Sequence, residues 1–440
     1  MMIFKNCLLI CALMLLAVRS HSQSCVHRED HINKIVDDAA WCWFSDPRAV
    51  YHSGKLERIY YGYINSQGDV MIGARDEKTG RTETFNLHPN LQIDDHNVPS
   101  ILFLPDGRLL VFYSHHNGKL FMRKSKHAED ITQWEEERIL DFGLQENPLC
   151  YSHPVMLSEE NNRIYLFFRC QYAADGAPSF SDWYQMVSFS DDMGKTWAKG
   201  RRLIDSYDVN NTVYMKVSSD NVGRIDILFT DGHPKIGASS VYHMYYEKGL
   251  FHQTNADTID GFNSMPIGID KVNKVYDVTV NQTKSWIWDI AVDENGDPVV
   301  TYTQYPHETD HRFHYARWDG TKWQDEELCA GGGYITRLRP GARLREGHYS
   351  GGIVLDHQNT DIVYLAREVN GKFEIQRWRR DQGKWVVDNI TTHSNEDNIR
   401  PYVVKCSPPG TSTVLWMRGI YHHYTDYYTD LMMCRLRVPL

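Results

Sequence analysis

The sequence predicts an all-β chain folded as a single seven-bladed β-propeller, and three observations predict it. Short β-rich apolar runs, each behind a cluster of turn-forming residues, recur seven times. One hairpin motif of the kind found in propeller blades is cleanly present. Aromatic residues make up 12% of the chain, with 26 Tyr and 12 Trp, and no low-complexity linker divides it.

The seven runs begin at Arg58, Leu109, Arg163, Arg224, Pro298, Asp361 and Thr413, about 50 to 75 residues apart, which is the length of one four-stranded blade with its loops. Pro105-Asp106-Gly107, Glu160-Asn161-Asn162, Asn221-Val222-Gly223 and Asn295-Gly296-Asp297 supply the turns before four of them. Ser190–Trp197, SDDMGKTW, fits the Asp-box pattern Ser-x-Asp-x-Gly-x-Thr-Trp. Its carboxylate and hydroxyls suit bonds to the turn's own backbone, and Trp197 suits packing between blades, so the box reads as structural and not catalytic. Trp318–Trp323 and Arg380–Trp385 are weaker echoes. Seven units closing a ring remove exposed sheet edges, and residues 23–440 are read as this one domain.

Ahead of it, Lys5 and the apolar stretch Leu8–Val18, closed by Arg19-Ser20-His21-Ser22, read as a secretory signal peptide over residues 1–22, too short to span a membrane. The expected protein is secreted, periplasmic or extracellular, monomeric and without membrane insertion. Of nine cysteines, Cys7 and Cys11 fall in that leader, and the remaining seven form no Cys-x-x-Cys spacing that would indicate zinc or a disulfide framework. A net charge of −10 without a basic tract argues against nucleic acid as a partner.

Propeller sites lie where innermost strands and their loops converge on the central channel. His96 stands before the strand-like Val98–Leu104 and His116 after Leu109–Ser114, so a hairpin through Pro105-Asp106-Gly107 brings them to one end. The plainer reading makes His96 part of a turn with Asp94 and Asp95, and His116 part of a solvated loop. The next unit offers Tyr151, His153 and Arg169 at corresponding strand ends, the one after it Tyr214, Lys216 and His233, and His348, Tyr349 and Arg367 close the ring. Tyr, His and Arg at successive blade ends are what β-elimination on a uronate requires: cations neutralise the carboxylate, and Tyr or His moves the proton. The carboxylate pair of most glycosidases does not stand out. Elimination of this kind needs no cofactor; a structural metal ion near His233 stays open.

Trp41–Val50, Asp94–Pro99, Thr230–Pro234 and Tyr349–Val354 together resemble secreted seven-bladed BNR-type propellers of the ulvan-lyase and rhamnosyl-glucuronate-lyase kind. The resemblance covers nearly the whole chain beyond the leader. It implies a polysaccharide lyase that cleaves between L-rhamnose and O4 of D-glucuronic acid in an anionic plant arabinogalactan or algal ulvan. It also implies a site of two His about twenty residues apart, a Tyr, an Arg and a later Tyr, an order that His96, His116, Tyr151, Arg169 and Tyr214 match. His153 competes with Tyr151 for the first Tyr position. The same group includes α-L-rhamnosidases, thought to use a His on the opposite propeller face near the Trp41–Phe44 segment, where this chain has Ser45–Arg48 and then His52. A hydrolase of that type, a sialidase, or a non-catalytic propeller that binds an anionic glycan are the alternatives.

Overall fold

The computed structural model describes residues 32–144, 147–171, 183–206, 212–342 and 345–438; the segment expected to be a leader, residues 1–22, and Cys25 lie outside them. The molecule is a seven-bladed β-propeller of antiparallel sheets. The first strands of the blades are Ala49–Ser53, Ser100–Phe103, Leu149–Leu157, Met215–Ser219, Lys284–Val292, Ile353–Leu355 and Asp397–Val403, here blades 1 to 7. These first strands pack against one another around the channel. All seven apolar runs fall in the second strands of the blades, which start at Glu57, Leu109, Arg163, Arg224, Pro298, Ile362 and Thr411. Blade 7 is composite: the N-terminal strand Ile32–Val36 pairs with the C-terminal strand Asp426–Arg437, so the two ends of the ring share a sheet.

The Asp box forms the turn between the third and fourth strands of blade 3. Ser190 Oγ accepts from Gly194 N (2.9 Å), and Asp192 accepts from Thr196 N (2.8 Å) and Thr196 Oγ1 (2.6 Å). Trp197 meets Phe112 of blade 2 edge-on at 5.8 Å, so the box is a blade-to-blade fastener.

What fills the channel is the segment leading into blade 1. Trp41, Cys42, Trp43 and Phe44 are all but completely buried. Trp43 stacks on Trp288 at 4.5 Å and meets Trp286 edge-on at 4.7 Å, and its Nε1 donates to Ile287 O (3.1 Å). Burying each such ring contributes roughly 1.5–3 kcal/mol, and the Trp41 and Trp43 indole donors find backbone acceptors, Arg400 O and Ile287 O. Phe44 has Tyr151 (5.2 Å) and Tyr214 (4.8 Å) beside it and Lys216 Nζ 5.9 Å from its ring. Tyr214 stands just before the first strand of blade 4 and Lys216 is its second residue, so the two are offset along the channel. The aromatic plug thus divides the channel into two mouths, one at the starts of the first strands and one at their ends.

Candidate active site

At the first mouth, Asp94 opens the turn Asp95–Asn97 that delivers the chain into blade 2, and its side chain caps it by accepting from His96 N (3.0 Å). The same carboxylate takes both imidazoles. His96 Nδ1 donates to Asp94 Oδ1 (2.6 Å) and His116 Nδ1 to Asp94 Oδ2 (2.9 Å), with the two rings stacked 3.9 Å apart and 4° from parallel. Asp95 stands behind His96 alone, at 3.0 Å, and is itself ion-paired to the fully buried Arg400 and accepts from Tyr421 Oη (2.7 Å). Burial works against a charge on His96, but Asp94 and Asp95 outweigh it and raise its pKa to about 9. Burial and then the charge of His96 hold the pKa of His116 below its ordinary value, in spite of Asp94. At neutral pH one imidazole of the pair is a cation and the other a neutral base.

Blade 3 supplies Tyr151 and Arg169. A β-bulge interrupts pairing between Cys150 and His153, and Tyr151 takes the left-handed conformation (φ 59°) that a bulge requires. Its ring lies 5.8 Å from His96 and 6.3 Å from His116. The Arg169 guanidinium is enclosed by three rings, Tyr151 at 4.6 Å, Trp183 at 4.4 Å and Tyr214 at 4.6 Å, and its buried Nη1 has no hydrogen-bond partner among the described residues. A guanidinium held flat by aromatics with a nitrogen to spare suits a carboxylate. Burial pushes the Tyr151 and Tyr214 phenols up from their ordinary value, against the opposing pull of Arg169. Desolvation outweighs the neighbouring cation, so both phenols stay protonated and neither is lowered into a base.

The cluster continues around the mouth. His233 contacts Tyr214 (5.2 Å) and His348 (4.7 Å), and Tyr349 Oη lies 3.3 Å from His96 Nε2. Tyr424, which sequence reasoning missed, stands edge-on to His96 (4.9 Å) and His116 (5.4 Å). It follows the second strand of blade 7 as His116 follows that of blade 2, so the signal that found His116 was present in Tyr421–Tyr424 as well. Glu346, also missed, lies 3.4 Å from Lys235 Nζ, 3.4 Å from His348 Nε2 and 3.6 Å from His423 Nε2. Asp94, Asp95 and Glu346 all have depressed pKa values, their imidazole, Arg400 and Lys235 partners outweighing burial. None of these carboxyls is held protonated, as a general acid would be.

A profile of the BNR repeat-containing family matches residues 58–330, more than half of the chain. The chain belongs to this family. The BNR propeller is 27% identical over 258 residues to an ulvan lyase (Ulvan Lyase-PL25) of Pseudoalteromonas sp. (strain PLSV), covering 49% of this chain and 48% of that one, so it spans about half the length of this curated relative. Among solved structures it is similar to a PL25 ulvan lyase bound to -[GlcA(1-4)Rha3S]-, with TM-score 0.67 at 14% identity over 91% of this chain and 94% of the other. It is also similar to the polysaccharide lyase Uly1, with TM-score 0.59 at 11% identity over 92% and 99%. At such identities these structures share the fold.

Two expected site residues of the BNR propeller, Lys216 and Arg367, do not join the cluster, and a third, His153, borders a small gap shared with Tyr151, Arg169 and Tyr214 but makes its hydrogen bond on the far side. His153 lies past the bulge, which breaks the two-residue alternation with Tyr151, and its Nδ1 accepts from Asp46 N (3.3 Å) beyond the plug. Lys216 is buried against Asp46 and donates to Trp43 O (2.5 Å) on that same side. Both belong to the second mouth, where a cavity of about 500 Å³ is lined by Asp46, His153, His357 and Lys405 among others. Arg367 lies on the second strand of blade 6, paired across the sheet with Glu374, and its charge acts on the Cys329 thiol of blade 5. Metal fits poorly. Asp94, His96 and His116 have ligand atoms close together, but a ring nitrogen binds a metal in its own plane, and two parallel rings 3.9 Å apart share no in-plane point. Cys42, Asp95 and His96 also lie together, but burial raises the Cys42 thiol and Asp95 is committed to Arg400. His233 Nδ1 accepts from Lys235 N (2.9 Å) and joins neither group.

Proposed function

We propose that the protein is a secreted polysaccharide lyase that cleaves between L-rhamnose and O4 of D-glucuronate by β-elimination, in a plant arabinogalactan-type or algal ulvan-type polymer. The observation that carries this reading is the charge-split histidine pair beside a buried, partly unpartnered arginine at one channel mouth. The relationship to an ulvan lyase supports the reaction class. The leader-like segment of residues 1–22 supports export.

In this reading Arg169 and charged His96 take the uronate carboxylate, which lowers the cost of developing negative charge when C5 loses its hydrogen. Neutral His116 accepts H5 through Nε2, since its Nδ1 proton is given to Asp94. The electron pair forms the C4=C5 double bond, the C4–O4 bond breaks, and O4 leaves with rhamnose as its anomeric hydroxyl. Tyr151, kept protonated by burial, donates to that oxygen, with Tyr214 beside it at 5.9 Å between ring centres. Because H5 and O4 of glucuronate lie on the same ring face, acid and base can approach from one side.

A hydrolase reading draws support from the second mouth alone, where the cavity places His153, with a buried and unpartnered Nε2, near Lys405 and His357. Its carboxyls are poorly placed to act as an acid: Asp46 and Asp289 are both held well below the usual carboxylate range, their cationic neighbours outweighing burial, and Asp220 accepts from the backbone of its own turn. His52, the histidine nearest the plug in sequence, is stacked on Phe103 at 4.0 Å instead. Mass analysis of products from gum arabic and from ulvan separates the readings. Elimination leaves a uronate lighter by one water than hydrolysis does, and a purely glycan-binding propeller leaves both polymers intact.

A further inference from the structure

The two active-site imidazoles share one anion and differ in what stands behind them. Asp94 accepts from both Nδ1 atoms, at 2.6 and 2.9 Å, and its buried carboxylate has no other side-chain partner among the described residues. Holding both Nδ1–H groups fixes the tautomer of His116 and turns the Nε2 of each ring away from the carboxylate, His96 toward Tyr349 Oη. The second carboxylate, Asp95, reaches His96 only, and Arg400 anchors it. The other groups facing the pair are the Arg169 charge, the buried Cys42 thiol, the Tyr349 hydroxyl, the rings of Tyr151 and Tyr424, and, across the mouth, His233. None is an anion that could replace Asp94.

We infer that Asp94 is the positioning residue of this site: one carboxylate that locks two stacked imidazoles into complementary jobs, a cation for the uronate carboxylate and a base for H5. The inference rests on the lyase reading for the reaction, and on the hydrogen-bond geometry for the device itself. The arrangement resolves a difficulty of stacking two histidines 3.9 Å apart. Two equivalent imidazoles would repel once both were charged and would lack a cation if both were neutral. An asymmetric anion behind a shared one produces one of each.

Asp94→Asn separates positioning from folding. Asparagine keeps the turn cap, because its side-chain oxygen still accepts from His96 N. Its amide, however, has one oxygen and one NH2, so it can accept from one imidazole only and must donate to the other, which moves that ring's proton to Nε2. The variant should fold with an unchanged melting profile near neutral pH, to within a few degrees. On gum arabic or ulvan its kcat should fall on the order of 100-fold, as expected when a positioned proton-transfer group is lost. KM should change little, and the alkaline limb of the kcat profile should move down by about one pH unit or more, since one of the two anions that sustain the His96 charge is gone and Asp95 alone remains. The protein alone provides a second readout: ¹⁵N-histidine spectra of wild type should show one imidazolium and one neutral Nδ1–H ring in the pair at neutral pH. In Asp94→Asn that pattern should be lost. Unchanged kcat and pH profile, or an unchanged pair of histidine spectra in folded Asp94→Asn, would overturn the inference. Should wild type release no unsaturated product from either polymer, the lyase reading fails by itself, and the spectra still decide whether Asp94 sets the protonation of the pair.

Discussion

Replacing Arg169 by lysine probes the carboxylate-binding end of the site with the least disturbance to the fold. The guanidinium plane is clamped by Tyr151, Trp183 and Tyr214 at 4.4–4.6 Å, its Nε donates to Cys150 Sγ (3.3 Å), and Nη1 is buried with no partner among the described residues. Lysine keeps the charge over the three rings and so retains much of the cation–π attraction, about 0.5–2 kcal/mol. It cannot present two parallel N–H groups to a carboxylate. Hydrogen bonds to a charged group contribute about 1.5–3 kcal/mol, so loss of one in the transition state should cost about 2 kcal/mol, or roughly 30-fold in kcat/KM. Arg169→Met, which removes the charge and leaves no buried ion, should lose at least as much. The assay is steady-state elimination on gum arabic and ulvan, followed by ultraviolet absorbance, with circular dichroism as the check on folding. Folded Arg169→Lys with wild-type kcat/KM would refute the assignment of Arg169 to the uronate.

His116→Gln should lose turnover by on the order of 100-fold or more while still binding polymer, because glutamine can hydrogen-bond but cannot accept H5; retained turnover would return the base role to another group. Tyr151→Phe should lower kcat more than Tyr214→Phe, since Tyr151 stands nearer the histidines, and equal wild-type rates in both would remove tyrosine from proton transfer. Stability should carry the signature of His96. Its folded pKa of about 9 lies above the ordinary value of 6.5, so its contribution is fully present below about pH 6.5 and is lost as pH rises through about 9. The melting-temperature deficit of His96→Gln relative to wild type should therefore be largest near pH 6 and shrink toward pH 10; a deficit independent of pH would contradict a charged His96.

The propeller was legible because its marks are local. A turn and a β-rich run specify a hairpin without reference to the rest of the chain, and Ser190–Trp197 carries its own hydrogen-bond partners in eight residues. His96, His116, Arg169 and Tyr214 were found for the same reason, since they sit at equivalent strand ends of consecutive blades. Three things were not legible. The bulge at Tyr151 shifts alternation by one residue, which sent His153 to the other mouth. The channel plug is a contact between Trp41–Phe44 and strands more than two hundred residues away, such as Trp43 with Ile287, and no local pattern encodes it. The direction of the tyrosine pKa shifts depends on how dry the mouth is, and here burial outweighs the charge of Arg169. Asp94 was visible as a turn residue, but its second partner, His116, comes from the next strand end.

The central claim is that this mouth performs elimination. Its most direct test is to incubate the purified protein with gum arabic and with ulvan while following the ultraviolet absorbance of a C4=C5 double bond conjugated to the uronate carboxylate. The account predicts that absorbance rises with at least one of the two polymers and that the rise depends on Arg169 and His116. Free rhamnose released without any rise in absorbance would contradict it and move the chemistry to the second mouth.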